Sequence, residues 1–145
     1  FLGNDLLYVA GDIYQGESLG LYKTNGSVAA GELILSFNQP GSILVAYPMT
    51  ITMDNVLYFY GSDEVAGFEL WRTDGTGAGT YMVKDINPGI ESSLTFSPIK
   101  QYFAQLNGFI YFAAADDEFL IFIDKKNNIE IVFITFFLLV VYFTI

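Results

Sequence analysis

ELWRTDGTGAGTYMVKDINPG, residues 69–89, places turn residues between short β-prone runs. Asp74 can bond backbone N–H groups just ahead of it, and Gly75 can take positive φ. Gly77 and Gly79 lead into the run TYMVKDI, residues 80–86. Pro88-Gly89 fits the two central positions of a type II turn. On this reading FELWRT (residues 68–73) and TYMVKDI are successive strands joined by a turn built from Asp74, Gly75 and Thr76.

The same grammar recurs along the chain. LYKTNGS at residues 21–27 matches LWRTDGT at 70–76, forty-nine residues later. LLYVAG at 6–11 matches VLYFYG at 56–61, and QPG at 39–41 matches NPG at 87–89. A third copy opens at LNGFIYFAA, residues 106–114, with Tyr111 in the place of Tyr8 and Tyr58, and departs from the pattern near Glu118. Small differences in spacing are what surface connections tolerate. Self-similarity at about fifty residues marks a repeat architecture.

Each unit reads as about four strands. MTITM (49–53) and VLYFYG flank Asp54-Asn55. FAQL (103–106) and FIYFAA flank Asn107-Gly108. Such dipeptides between apolar β-prone runs predict two-residue hairpins, since a type I′ turn needs positive φ at both positions. VLYFYG and FIYFAA are apolar on both faces, which predicts a sheet stacked between other sheets. The expected fold is all-β, with antiparallel four-stranded blade-like repeats of about fifty residues arranged as part of a β-propeller. A linear β-solenoid is the alternative. The units fall at about 1–48, 49–102 and 103–118. Known closed propellers need 4–8 blades, and the chain starts at Phe1 without a basic segment leading into an apolar run. The expectation is a piece of a longer protein.

Composition narrows the chemistry. The 145 residues carry six basic and sixteen acidic side chains, a net charge of −10. That opposes nucleic acids and anionic membrane surfaces, which call for clustered Lys and Arg. There is no cysteine and no histidine. Thiol chemistry is excluded, and the commonest general base and metal ligand are missing.

Along Glu69-Leu70-Trp71-Arg72-Thr73-Asp74-Gly75-Thr76 the chain resembles the ELWxxDGT repeat family of bacterial, mostly secreted or surface-exposed proteins. The resemblance is specific over residues 54–89, Pro88-Gly89 included. It is degenerate over 5–41, where Tyr22 stands for Trp71 and Asn25 for Asp74. It is partial over 106–118. It implies a propeller-like array in a larger exported protein, with an extracellular or cell-surface location, and it brings no catalytic residues to carry over.

Trp71 suits a large filler between sheets better than a carbohydrate-stacking platform, because Tyr22 fills the matching position and Trp gains most from buried area. Asp63, Glu64 and Asp74 offer oxygen ligands for calcium, but no spaced Asp/Asn/Gly loop is present and turn-capping explains them. The acid pairs Asp63-Glu64 and Asp116-Asp117 fall at equivalent places in successive units, which points to loop chemistry rather than a glycosidase dyad. GTGAG at 75–79 lacks the Lys-Ser/Thr ending of a phosphate loop. No catalytic, cofactor or metal residue is assigned. The expected function is a non-catalytic extracellular module for adhesion or contact with a protein or glycan. The alternative is a segment of a propeller-type hydrolase whose catalytic groups lie elsewhere.

Residues 119–145 break the pattern. All fourteen glycines and four prolines precede them, and Phe, Ile, Leu and Val dominate. Residues 131–145 are uncharged, but fifteen residues fall short of the ~20 that span a bilayer as a helix. Three readings stand: a truncated membrane anchor, a hairpin FLIFID-KKNN-IEIVFI, or a segment foreign to the repeat. Contact with a membrane is expected only if the segment is an anchor.

Overall fold

The computed structural model describes residues 1–11, 19–27, 31–37, 43–44, 50–63, 65–93, 103–112, 114, 120–123 and 132–134. Among these, twelve strands and no helix form three antiparallel sheets. The first sheet holds β1 (Leu6–Ala10), β2 (Leu19–Thr24) and β3 (Glu32–Phe37) in that order. The second holds β4 (Ile43–Leu44), β5 (Thr50–Met53), β6 (Val56–Gly61), β7 (Glu69–Thr73) and β8 (Tyr81–Lys84). The third holds β9 (Ala104–Leu106), β10 (Phe109–Tyr111), β11 (Leu120–Ile123) and β12 (Val132–Ile134), again as a meander. No described sheet closes into a barrel.

The second sheet has four ranks although it has five strands. β4 and β5 share one edge of β6: Ile43 and Leu44 pair with Gly61 and Tyr60, and Thr50 to Met53 pair with Phe59 to Val56. The partners on β6 run on without a gap, Tyr60 pairing with Leu44 of β4 and Phe59 with Thr50 of β5. β7 and β8 complete the sheet. The first sheet shows the beginning of the same outer rank: Leu2 and Asp5 exchange both backbone hydrogen bonds, 2.9 and 3.0 Å, around Gly3 at φ 57°.

Local sequence explains the tight connections. Asp54 (φ 50°) and Asn55 (φ 60°) join β5 to β6, and Asn107 (φ 53°) and Gly108 (φ 78°) join β9 to β10. Both take the double positive φ of a type I′ turn, whose twist matches that of the strands it joins. Gly75 (φ 88°) and Gly89 (φ 98°) supply the left-handed positions their turns require.

The second sheet is covered on both faces. On one, Leu57, Phe59 and Trp71 join Leu2, Leu21, Ile34 and Phe37 of the first sheet and its leading turn in one buried cluster. Leu7, Val9, Leu35 and Met82 pack at its edge. On the other, Tyr60, Leu70 and Ile86 join Phe112 and Ala114 beside the third sheet, with Tyr58, Phe68, Val83 and Phe103 around them. Tyr60 stacks on Phe103 with ring centroids 4.9 Å apart. A strand with both faces in a core has no polar side to present, which is why VLYFYG reads as an unbroken apolar run.

The ladders contain one repeated irregularity. β2 and β3 slip register between Leu21 and Tyr22, so that Leu21 pairs with Leu35 and Tyr22 with Leu33. β7 and β8 slip between Leu70 and Trp71, pairing Leu70 with Lys84 and Trp71 with Met82. One extra residue, Ile34 or Val83, enters at the same offset of forty-nine. This ladder corrects one sequence match. Tyr8 lies opposite Tyr22 as Phe59 lies opposite Trp71, so Tyr8 corresponds to Phe59 and not to Tyr58. Strand side chains alternate faces, and a one-residue slip exchanges the two sets. With apolar residues on both faces, the letters alone could not choose.

Residues 120–123 and 132–134 occupy the third and fourth ranks of the third sheet, with Tyr111 opposite Phe122 and Ile121 opposite Phe133. Residues 124–131, which hold the expected Lys-Lys-Asn-Asn turn, and 135–145 lie outside the described residues, as do Pro40-Gly41. Among the described residues, no helix is long and apolar enough to cross a membrane.

Candidate functional site

The segment singled out by the sequence, residues 69–89, forms one continuous bonded unit. Glu69 opens β7 and is fully buried, at 0% exposure. Its Oε2 accepts the Ile86 N–H at 3.1 Å, and its Oε1 accepts the Ser93 N–H at 2.9 Å. The carboxylate ties the start of β7 to the chain leaving β8. Burial pushes its pKa above the usual carboxyl range, and the hydrogen bonds from Ser93 and from the Ile86 backbone partly offset that rise. Leu70, also at 0%, faces the third sheet, and Trp71, at 7%, faces the first. Phe37 meets the Trp71 indole edge-on at 5.5 Å, and Phe59 lies tilted at 6.5 Å. The indole Nε1 has no hydrogen-bond partner among the described residues. Trp71 therefore sits as a filler between sheets, with no open ring face for a sugar.

Arg72 lies over the Tyr81 ring, 5.2 Å from its centroid. Beyond it the turn satisfies itself. Thr73 Oγ1 accepts the Gly75 N–H at 3.0 Å, and Asp74 Oδ1 accepts the Thr76 N–H at 3.0 Å and the Thr76 hydroxyl at 2.7 Å. Thr76 Oγ1 accepts the Gly79 N–H. Thr80 donates to the Thr76 carbonyl at 2.6 Å, which leaves its oxygen to accept the Thr73 proton across 2.6 Å. The Asp74 carboxyl is held below its usual range, chiefly by the Thr76 hydroxyl. A Cβ at Gly79 would overlap the Asp74 carboxylate, so the absence of a side chain at position 79 admits it.

The matching turn of the first sheet repeats two of these bonds. Thr24 Oγ1 accepts the Gly26 N–H at 3.1 Å, Asn25 Oδ1 accepts the Ser27 N–H at 3.0 Å, and Gly26 has φ 84°. Asn25 and Asp74 thus do one job, as backbone acceptors.

Several residues that sequence reading passed over hold the unit in place. Lys23 donates to the Gly75 carbonyl at 2.9 Å, joining the first sheet to the second sheet's turn, and pairs with Glu32 at 3.2 Å. Ser92 Oγ accepts the Phe68 N–H, the Gly67 N–H bonds the Gly89 carbonyl, and Asn87 Nδ2 donates to the Ser92 carbonyl. These link the Pro88-Gly89 loop back to the approach to β7. The available signal was a cluster of small polar residues around each motif, which names no partner.

Of the acidic candidates, the described ones, Asp63 and Asp74, each cap a loop of their own. Asp63 Oδ1 accepts the Val65 and Ala66 N–H groups at 2.8 and 2.7 Å, and so caps its own loop. Glu64, Asp116 and Asp117 lie outside the described residues. Among the described residues no three acidic side chains are grouped as a metal would require. An open polar depression of about 290 Å³ lies at the end of the first sheet, lined by Asp5, Lys23, Thr24, Asn25, Ser27, Gly31 and Glu32. Its Lys23 is already engaged.

Comparison of the chain with family models, with curated proteins and with solved structures returns no match.

Proposed function

We propose that this chain is a segment of a propeller-like array of about fifty-residue units, serving outside the cell as a non-catalytic module that contacts a protein or a glycan. One observation carries the reading: the side chains of the most distinctive motif are spent on holding the sheets together. Glu69, Trp71, Thr73 and Asp74 are each buried or committed to backbone N–H groups. A motif so used recurs because the architecture recurs, and contact falls to the loops between strands. The recurrence of the register slip and of the Thr-Asx-Gly turn at an offset of forty-nine supports a repeat. The extracellular location rests on the resemblance of residues 54–89 to the ELWxxDGT repeat.

The test is paired screening of the chain against immobilised glycans and extracellular-matrix proteins, and against chromogenic glycosides and esters. Saturable binding without turnover is the expected result. Turnover that disappears in Asp74→Asn would contradict it, because Asn preserves the turn and removes only the ionisable group.

A further inference from the structure

The chain has two Asn-Gly pairs, Asn25-Gly26 and Asn107-Gly108, both in connections between strands. In such a pair the side-chain amide reacts readily with the backbone, because glycine has no side chain to block the approach. Base removes the glycine N–H proton, the nitrogen attacks the Asn Cγ, and the Cγ–Nδ2 bond breaks, with that nitrogen leaving as ammonia. Water then opens the cyclic imide at either carbonyl. One opening gives aspartate. The other gives isoaspartate, which carries an extra methylene in the main chain. No partner or cofactor takes part, so the rate depends on how freely the local backbone brings the nitrogen onto Cγ.

The structure treats the two pairs differently. At Asn25 both reacting groups are tied. The Gly26 N–H is donated to Thr24 Oγ1 at 3.1 Å, which keeps its proton from base, and Asn25 Oδ1 accepts the Ser27 N–H at 3.0 Å, which holds the side chain forward. The second sheet repeats both bonds around Asp74, so an aspartate formed at position 25 fits the turn it is in. No such bond holds Asn107-Gly108 among the described residues. Asn107 is exposed, and its φ of 53°, with 78° at Gly108, is kept by the pairing of β9 with β10. That pairing covers three residues, and β9 lies at the edge of its sheet with all its residues exposed. Short, exposed edge segments open at low free-energy cost. Asn55, in the other tight hairpin turn, precedes Val56, whose branched side chain hinders the same attack.

We propose that Asn107 is a site of spontaneous deamidation, and that its isoaspartyl product loosens the third sheet from the second. A type I′ turn matches the strand twist with two residues of fixed handedness. An added main-chain methylene at the first of them upsets the loop length that sets the register of β9 on β10. Phe103 directly precedes β9, stacks on Tyr60 at 4.9 Å and lies 6.0 Å from Phe112. When β9 leaves its place, Phe103 leaves the cluster between the second and third sheets.

Timed incubation of the full chain in warm, mildly alkaline buffer tests this, read by peptide mapping that separates aspartyl from isoaspartyl peptides. Asn107 should convert at least about fivefold faster than Asn25, the factor that one hydrogen bond supplies. In concentrated urea the two pairs should convert at similar rates, since the difference comes from the fold. Hydrogen–deuterium exchange in residues 109–111 should be faster in the aged chain than in the fresh one. Asn107→Gly removes the amide and leaves a Gly-Gly pair that suits the same turn, so its exchange there should not change on ageing. Asn25 converting as fast as Asn107 in buffer, an Asn107 that stays intact, or a preference for Asn107 that persists in urea would overturn the assignment. Isoaspartate at position 107 with unchanged exchange in residues 109–111, or an equal change in aged Asn107→Gly, would overturn the loosening.

Discussion

At the scale of single residues, Glu69 has the most specific role. It is a buried carboxylate whose two oxygens each meet a backbone N–H from a different segment. Glu69→Ala leaves the buried Ile86 N–H without its acceptor and the Ser93 N–H with the Phe68 carbonyl alone, and urea melts should show a loss of about 1–3 kcal/mol. Folding raises the Glu69 pKa. Its pH-linked stabilisation is therefore fully present below the unfolded carboxyl pKa and is lost as pH rises through the folded value. The gap between wild type and Glu69→Ala should narrow as pH rises across that window. Asp74 has the opposite sign. Its lowered pKa gives a contribution present above the ordinary carboxyl range and lost as pH falls through the folded value. Asp74→Ala should cost about 1 kcal/mol by loss of the turn acceptor, while Asp74→Asn stays within about 0.5 kcal/mol at neutral pH, as Asn25 does the same work in the first sheet. Trp71→Ala opens a cavity between two sheets, and its thermal or urea melt should show a loss of about 3–5 kcal/mol.

At the scale of elements, the sequence showed the strands and turns well and the joints between them poorly. Asp54-Asn55 and Asn107-Gly108 could be placed as hairpin turns from two letters each, because their φ demands are local. The two-sided burial of β6 could be read from its unbroken apolar run. The face assignment of β1 could not, since Leu6 to Ala10 are apolar on both sides and only pairing with β2 fixes their parity. Nor could the split edge of the second sheet, where β4 and β5 share one side of β6, or the tie from Glu69 to Ser93, which spans twenty-four residues. The Pro88-Gly89 loop gives a test at this scale. Gly67 lies so close to the Glu91 carbonyl that a Cβ there would overlap backbone, which cannot swing aside as a side chain can. Gly67→Ala should therefore lower stability by about 1–3 kcal/mol or more, read as a fall in Tm.

At the scale of the whole molecule, three sheets in series place two hydrophobic clusters on either side of the second sheet. This arrangement ranks the sheets by protection. Amide exchange slows with burial and with neighbours that must open together. β6 and β7 have a sheet on either side, whereas β1 and β9 lie towards the ends of the series. Removal of residues 119–145 takes away β11, the partner of Ile110 and Tyr111, together with β12. It should hasten exchange in β10 and leave β6 and β7 unchanged. Hydrogen–deuterium exchange of the intact chain, read by mass spectrometry on peptides from each sheet, tests the stacked arrangement most directly. The stacked arrangement predicts the slowest exchange in residues 56–61 and 69–73, with residues 6–10 and 104–106 faster. Equal protection of all three sheets, or fastest exchange in residues 56–61, would contradict it.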